Sequence, residues 1–170
     1  MSDKAIANTN VEILLDNIKS NMTGSLNYDI TTALAASSGE GWIYAEKDVT
    51  TTSASLLATT EDYLGSVTGA GTAHGNDKIN WIAIKHTGTV NGTIPTNNGV
   101  MLSADNATVV YTTADGIYLS PNELIVLKLP NTIVTNFTCI TVSENGSGLP
   151  TAAGTTNARV LIAAILTNVA

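Results

Sequence analysis

The side chains that most often carry enzymatic chemistry are few in this sequence, and they do not fall into catalytic patterns. Its two histidines, His74 and His86, belong to no H-x-H or H-E-x-x-H arrangement, so the spacing typical of a catalytic zinc site is absent. Cys139 is the one cysteine, and we interpret it as a small buried hydrophobic residue rather than a nucleophile. No G-x-S-x-G nucleophile elbow occurs. We therefore expect no enzyme, with no catalytic residue and no cofactor.

Four aspartates lie next to predicted turns, namely Asp48, Asp77, Asp105 and Asp115. Their simpler interpretation is structural, because aspartate hydrogen-bonds nearby backbone amides and stabilises turns. A calcium site would require several of these carboxylates to converge, and their spacing is not that of an EF-hand loop. We expect no metal site.

The chain is 170 residues long and acidic, with 14 Asp and Glu against 7 Lys and Arg and a net charge of −7. This length suffices for one domain with its own core. The charge disfavours nucleic-acid binding, which draws its affinity from clustered Lys and Arg. The most apolar segment, residues 160–166, is far shorter than the roughly 20 residues that span a bilayer. The N-terminus has no secretory signal pattern, so we expect a protein made inside the cell, in the cytoplasm, without a membrane partner.

The densest strand signal is residues 116–131, GIYLSPNELIVLKLPN. Its Ser-Pro-Asn triplet at residues 120–122 predicts a tight turn, because proline fixes φ and asparagine tolerates positive φ. The apolar run at residues 124–129 is short and ends at Pro130, which indicates a strand rather than a helix.

Three predicted strands are apolar on both faces, residues 79–84, 124–129 and 160–166. An antiparallel strand with one wet face should instead alternate apolar and polar residues. We therefore expect these three strands to lie toward the middle of their sheets. We also expect an outer face to be covered by the N-terminal segment or by a neighbouring subunit.

The remaining chain is a series of short predicted strands with turn signals between them and no β-α-β alternation. This pattern predicts an all-β protein with a single β-sandwich domain over residues 28–170, preceded by an arm at residues 1–27. Patterning alone leaves jelly-roll and immunoglobulin-like topologies open.

Within the arm, residues 9–22 match the pattern of a short amphipathic helix, with an apolar stripe of Val11, Leu14, Leu15 and Ile18. Thr9 and Glu12 have the spacing of a capping box, and Gly24 is placed to end the helix. The stripe could cover the protein's own sheet or dock on a partner. We take its four residues as the candidate interface.

Trp42 is a candidate for stacking on a sugar ring. Trp81 is predicted to lie in the core, because isoleucines flank it in the sequence. A carbohydrate-binding sandwich is therefore an alternative function for this chain.

Residues 77–130 carry a family resemblance. The segments DKINWIAIKHTGT and GVMLSADNATVVYTTADGIYLSPNELIVLKLPNTIV, in this order, resemble small structural proteins of tailed bacteriophages, especially capsid decoration or cement proteins. The resemblance covers about a third of the chain, from Ile79 to Val134. It implies a non-enzymatic sandwich, often jelly-roll-like, present in many copies on the capsid surface of the virion. It further implies a homo-oligomer, commonly a trimer, that bridges neighbouring subunits of the major capsid protein.

The leading hypothesis is accordingly a virion structural protein that decorates and stabilises a phage capsid through self-association and an N-terminal contact segment. The alternatives are a carbohydrate-binding adhesion module and another phage head or tail component.

Overall fold

A computed structural model describes most of the chain. The described residues are 4–15, 18–35, 38–57, 63–64, 75–105, 108–112, 116–145, 147 and 149–169, and for residues 11–21 the description is limited to the backbone. His74 and Asp115 lie outside these ranges.

The described residues form eleven strands and no α-helix; the one helical element among them is a 3-10 turn at Val134–Asn136. The strands are β1 (Lys4–Leu15), β2 (Ile18–Asp29), β3 (Glu40–Val49), β4 (Ala54–Ser55), β5 (Lys78–His86), β6 (Asn98–Ser103), β7 (Ile117–Leu119), β8 (Leu124–Ile133), β9 (Thr138–Glu144), β10 (Pro150–Ala153) and β11 (Ala158–Thr167).

Two sheets of the sandwich face each other, and all their strand pairs are antiparallel. The first sheet has the order β3-β11-β5-β8. The second has the order β10-β9-β6-β7, and β4 pairs with the start of β9. Strands β1 and β2 form a separate two-stranded hairpin. The expectation of an all-β sandwich is confirmed.

The core lies between the two sheets, and it is built from alternate residues of each strand. From the first sheet come β-branched side chains such as Ile43, Ile82 and Ile162, from the second comes Leu102, and Phe137 is added from the residue just before β9. All five are fully buried. Burial of such side chains contributes roughly 1.5–3 kcal/mol each, so this layer supplies most of the driving force for the sandwich.

The outer face of the second sheet is apolar as well. Met101 on β6 and Ile140 and Val142 on β9 form a small cluster there. The cluster is closed by Val109 of the segment before β7 and by the partly buried ring of Tyr118. Double coverage of this sheet is therefore provided within the chain, by a connecting segment rather than by a helix.

The N-terminal helix predicted from the sequence is wrong, because residues 9–15 belong to β1 and residues 18–22 belong to β2. Gly24, expected to end a helix, lies opposite Thr9 in the β1–β2 register. The Thr9 hydroxyl donates to the Gly24 carbonyl at 3.3 Å instead of capping a helix. Cross-strand pairing therefore replaces the capping interaction that the sequence suggested.

The three strands with two apolar faces do not all occupy central positions. β5 and β11 are the inner strands of the first sheet, as expected, whereas β8 is an edge strand. β8 contains the exposed Pro130, which has no N–H to donate and is tolerated at an edge. The central placement predicted for residues 124–129 is therefore wrong.

The predicted turn before β8 is present. The Glu123 amide donates to the Ser120 carbonyl at 3.1 Å, and Asn122 has a φ of 69°. Proline followed by a residue with positive φ is the arrangement of a type II turn. This turn carries the chain from β7 in the second sheet to β8 in the first, so the two flanking strands are not hairpin partners.

Candidate interaction surface

The outer face of the first sheet carries rows of side chains that follow the strand register. Three successive rows, each read from β3 to β8, are Trp42-Ile165-Trp81-Lys128, Tyr44-Ala163-Ala83-Val126 and Glu46-Leu161-Lys85-Leu124. The first two rows are mainly apolar, and the third carries one charge of each sign. A sheet face of this composition requires cover.

The hairpin β1–β2 covers one end of this face. Ala5 on β1 packs with Trp81 and Ile165, and all three are nearly or fully buried. Leu26 and Tyr28 on β2 are partly buried in the same cluster. These contacts come from the start of β1 and the end of β2. The described side chains nearer the hairpin turn, such as Asn10 and Thr23, are exposed.

Trp81 is the centre of the contact between hairpin and sheet. Its indole N–H donates to the Leu26 carbonyl at 3.4 Å. Its ring meets that of Trp42 edge to face, with centroids 5.8 Å apart and planes inclined at 74°. Aromatic pairs in this geometry contribute roughly 0.5–1.5 kcal/mol beyond their buried area. The prediction that Trp81 is a core residue agrees with this position beneath the hairpin.

Glu40, at the start of β3, hydrogen-bonds to the end of β2 and to the residues that follow it. One carboxylate oxygen accepts hydrogen bonds from the Tyr28 hydroxyl and, at 3.1 Å, from the Asn80 amide. The other accepts from the Thr31 backbone N–H at 2.8 Å. Burial, together with the bond and the charge of Glu40, raises the pKa of Tyr28 to about 12. The hydroxyl is therefore neutral and able to donate at physiological pH.

A groove remains between the hairpin and the edge of the sheet. Its volume is about 750 Å³, and Ala7 and Leu26 of the hairpin face Trp81, Ala83 and Val126 of the sheet across it. At the mouth of the groove Ile6 is 52% exposed and Leu124 is 61% exposed.

Beside the groove lies an apolar surface that the hairpin does not cover, which we call the open strip. It consists of Tyr44, Ala163, Leu161 and Leu124, and it surrounds a depression of about 180 Å³ floored by Ala83. Tyr44 is 52% exposed. Large apolar side chains that are contiguous and exposed on a folded monomer mark an interaction surface.

Charged groups lie beside and within the open strip. Arg159, next to Leu161's row on β11, donates to Asp48 through Nε at 2.8 Å and through Nη2 at 3.0 Å, and its Nη1 lies 3.5 Å from a Glu46 oxygen. Lys85 stands between Leu161 and Leu124 in the third row and also lines the depression; its ammonium donates to the Asn122 carbonyl. The strip therefore combines exposed apolar side chains with one lysine, and protein–protein interfaces contain both kinds of group.

For the four predicted interface residues, the structure describes the backbone only. Val11, Leu14, Leu15 and Ile18 lie on the hairpin backbone, where Val11 pairs with Met22 and Leu15 with Ile18, but their side chains lie outside the described part of the structure. Their role as an interface stays a prediction.

Trp42, proposed for sugar stacking, is partly buried in the cluster beneath the hairpin and packs against Trp81. The exposed aromatic residue of this face is Tyr44, which sequence reasoning did not single out. Its signal was the alternation Trp42, Tyr44, Glu46 along β3, which places the two aromatic rings on the same face.

The candidate chemical groups are held in structural roles. Cys139 is buried in the core, and burial raises the pKa of its thiol to about 12, so it is not a reactive thiolate. Buried Asp77 accepts hydrogen bonds from the Tyr63 hydroxyl at 2.7 Å and from the Val169 amide at 3.0 Å. Within the described ranges no three His, Cys, Asp or Glu side chains gather in a way that could hold a metal ion.

In comparisons with known proteins, no family model, no curated protein and no solved structure matches the chain. None of the described residues forms a helix that is long and apolar enough to cross a membrane.

Proposed function

We propose that this chain is a non-enzymatic structural protein of a phage virion, which decorates and stabilises the capsid by binding major capsid subunits and associating with itself. The observation that carries the proposal is the open strip beside the hairpin. A surface of this kind supplies area and complementarity, which a shell protein needs, whereas reactive groups are not required. Small contacts repeated over many copies gain strength through multivalency.

The strand order supports the jelly-roll form of sandwich that the resemblance implies. With the hairpin and β10 set aside, eight strands remain, in the orders β3-β11-β5-β8 and β4-β9-β6-β7. In chain order these are strands 1-8-3-6 and 2-7-4-5, so successive strands cross between the sheets at every step except β6 to β7. Two sheets of four strands joined by such crossings correspond to the two Greek keys of a jelly roll.

In this proposal the open strip and the mouth of the groove contact the major capsid protein. The hairpin, with Val11, Leu14, Leu15 and Ile18, supplies the contact between copies in a trimer. The chain is made in the host cytoplasm and then resides on the capsid surface. The net charge of −7 supports a protein partner over a nucleic acid, because phosphate binding requires clustered positive charge.

A charge placed in the open strip tests the proposal. The double variant Tyr44→Glu and Leu124→Glu should bind purified capsids lacking the wild-type chain at least tenfold more weakly, since two carboxylates would be desolvated on docking. Leu149→Glu is the matched control, because Leu149 is 58% exposed and lies in the loop between β9 and β10, away from the strip. Equal binding by all variants would contradict the role of the strip.

A second measurement tests the virion assignment itself. Particles stripped of this chain should lose resistance to heat and osmotic shock, and should regain it when the purified protein is added back. Absence of the chain from purified virions would overturn the proposal. Labelling at a head fibre or tail, rather than over the shell, would favour another phage component.

The carbohydrate-binding alternative now depends on Tyr44, since Trp42 is partly buried. A glycan array would decide it. Binding that is lost in Tyr44→Ala would support this alternative, and no binding to any sugar would count against it.

A further inference from the structure

His86 is a fully buried histidine at the end of β5, and both of its ring nitrogens are engaged. The Gly88 backbone N–H donates to Nδ1 at 2.9 Å. Nε2 lies 2.9 Å from the carbonyl oxygen of Asn98. A backbone N–H can only donate and a carbonyl can only accept, so the two partners require a neutral ring with its proton on Nε2.

We propose that His86 is a proton-operated lock on the loop of residues 87–97: the loop is held closed while the ring is neutral and opens when Nδ1 takes up a proton. A protonated Nδ1 would present its N–H to the Gly88 N–H. Two donors would then face each other in a buried site, and a buried donor without an acceptor destabilises the closed form, more so when it is charged.

Gly88 has little freedom to move aside while the loop stays closed. Its φ is 73°, and a Cβ added there would come within 2.5 Å of the Asn122 side chain, so the residue is packed against the turn before β8. Its carbonyl also accepts from the Thr96 amide at 3.0 Å, which closes the base of the loop. Displacing Gly88 therefore breaks the bond that joins the two ends of the loop.

The same network reaches a second loop. The Asn98 side-chain amide donates to the carbonyl and to the hydroxyl of Thr156, each at 2.9 Å, and the Asn98 backbone N–H donates to the Thr96 hydroxyl at 3.1 Å. Because Nε2 carries a proton in both forms of the ring, the contact with the Asn98 carbonyl is kept when Nδ1 is protonated, and the effect falls on the Gly88 side of the ring. The loop is also joined to the start of β11, where the Thr87 amide donates to the Arg159 carbonyl at 3.0 Å and the Arg159 amide donates to the Thr89 carbonyl at 2.8 Å.

Charged groups approach the ring from three directions. Burial is the largest influence and lowers the pKa of His86, and Lys85 beside it on β5 acts in the same sense. Three influences raise the pKa of His86: the hydrogen bond to the Asn98 carbonyl, the negative charge of Glu144 on β9, and the negative charge of Glu123 before β8. On β11, Arg159 is paired with Asp48. The net lowering means that the closed loop favours the neutral ring.

The direction of the pH effect follows from this lowering. In the open loop the histidine regains its ordinary affinity for a proton, near pH 6.5, whereas in the closed loop it binds a proton only at lower pH. The loop is therefore held most firmly above about pH 6.5. Below that pH, its opening equilibrium should rise about tenfold per pH unit until the closed form itself is protonated.

Hydrogen exchange of the full-length protein, corrected for intrinsic rates, measures this opening from about pH 8 to about pH 5. The expected result is a loss of protection at the amides of Gly88 and Thr96, and at the Arg159 amide, which donates to the Thr89 carbonyl of the loop. Amides in the middle of β5 and β11, such as those of Ala83 and Ala164, should stay protected. His86→Gln keeps an uncharged donor and acceptor and should remove the pH dependence; the matched control His74→Gln should retain it. A flat profile in the wild type, parallel loss at the amides in the middle of β5 and β11, or an unchanged profile in His86→Gln would each overturn the proposal.

If His86→Gln does not fold, nitrogen chemical shifts of the wild-type imidazole give an independent result. The lock requires the proton on Nε2 at neutral pH and a ring that titrates below the ordinary histidine range. A proton on Nδ1, or an ordinary titration, would contradict it. Neither readout depends on the proposed role in the virion.

Discussion

The indole rings of Trp42 and Trp81 meet edge to face across β11, with centroids 5.8 Å apart. Trp81 is 5% exposed, and the hairpin residues Ala5 and Leu26 lie in the same cluster. The pair therefore forms the floor on which the N-terminal hairpin rests.

Removing this floor should release the hairpin. Trp81→Ala is expected to cost about 3–5 kcal/mol, because it deletes a large buried ring and the donor to the Leu26 carbonyl. Urea unfolding measures the loss, and limited proteolysis should show faster cleavage within β1 or β2. Tyr44→Ala on the same face is the control and should stay within about 0.5 kcal/mol, since Tyr44 is largely exposed. A hairpin that stays protected in Trp81→Ala would contradict this account.

The bond between Tyr28 and Glu40 predicts an alkaline dependence. The pKa of Tyr28 is raised in the fold from its ordinary value of 10 to about 12. Its contribution is therefore complete below pH 10 and is lost as the pH rises toward 12. Burial and nearby carboxylates raise the pKa values of Tyr63 and Tyr118 as well.

Tyr28→Phe should consequently leave part of the alkaline dependence in place. Between these two pH values, the slope of its unfolding free energy against pH should be smaller than that of the wild type by the equivalent of one proton. Denaturant unfolding in an alkaline pH series, followed together with tyrosinate absorbance, provides the measurement. Identical slopes in the two proteins would show that Tyr28 is not held neutral by the fold.

Gly39 is expected to tolerate no side chain. Its φ is 91°, and an added Cβ would lie 2.1 Å from the Ala33 carbonyl oxygen. Gly39→Ala should destabilise the protein by about 1–3 kcal/mol, through strain and displacement of the segment between the hairpin and β3. Gly24→Ala is the matched control, because among the described atoms a Cβ there would meet the Thr9 hydroxyl alone, at 3.8 Å. Equal thermal midpoints for the two variants would refute the prediction.

Cys139 should be unreactive in the native protein. It is 1% exposed, and burial raises the pKa of its thiol to about 12. A thiol-specific reagent near neutral pH should therefore label it only after denaturation, when both access and the ordinary thiolate fraction return. Rapid labelling of the native chain would show that the sandwich opens at β9.

The sequence predicted the sandwich because strand patterns depend on local information. Short apolar runs, turn residues and the absence of β-α-β alternation were sufficient to predict an all-β protein. The turn at residues 120–122 was predicted for the same reason, since proline and asparagine impose it locally. What these signals could not give was the partner of each strand, and so β7 and β8 were not assigned to different sheets.

The N-terminal segment shows where local information was insufficient. Val11, Leu14, Leu15 and Ile18 have helical spacing, but Val11 and Leu15 also fit an alternating strand pattern with Ile13 between them. Pairing of β1 with β2 and packing of Ala5, Leu26 and Tyr28 on the first sheet favour the strand. The pairing is local, but the packing joins the hairpin to Trp81 and Ile165, which lie far away in the chain. Tertiary context of this kind overrides helix propensity.

Asn98 and Gly99 illustrate the same limit. An Asn-Gly pair predicts a hairpin turn. Here both residues begin β6, where Asn98 binds His86 and Thr156, and Gly99 lies against the ring of Tyr118. Their burial is decided by neighbours from three other segments of the chain, namely β5, the connection between β10 and β11, and β7.

The sequence by itself determined that this protein is an all-β sandwich whose strands need cover on more than one face, because composition and alternation record which residues avoid water. Only the tertiary structure decided what provides that cover. The hairpin shields Trp81, the segment before β7 shields Ile140, and Tyr44 and Leu124 are left open. Which apolar surface is closed within the chain and which stays exposed depends on long-range packing, and no local sequence pattern records such packing.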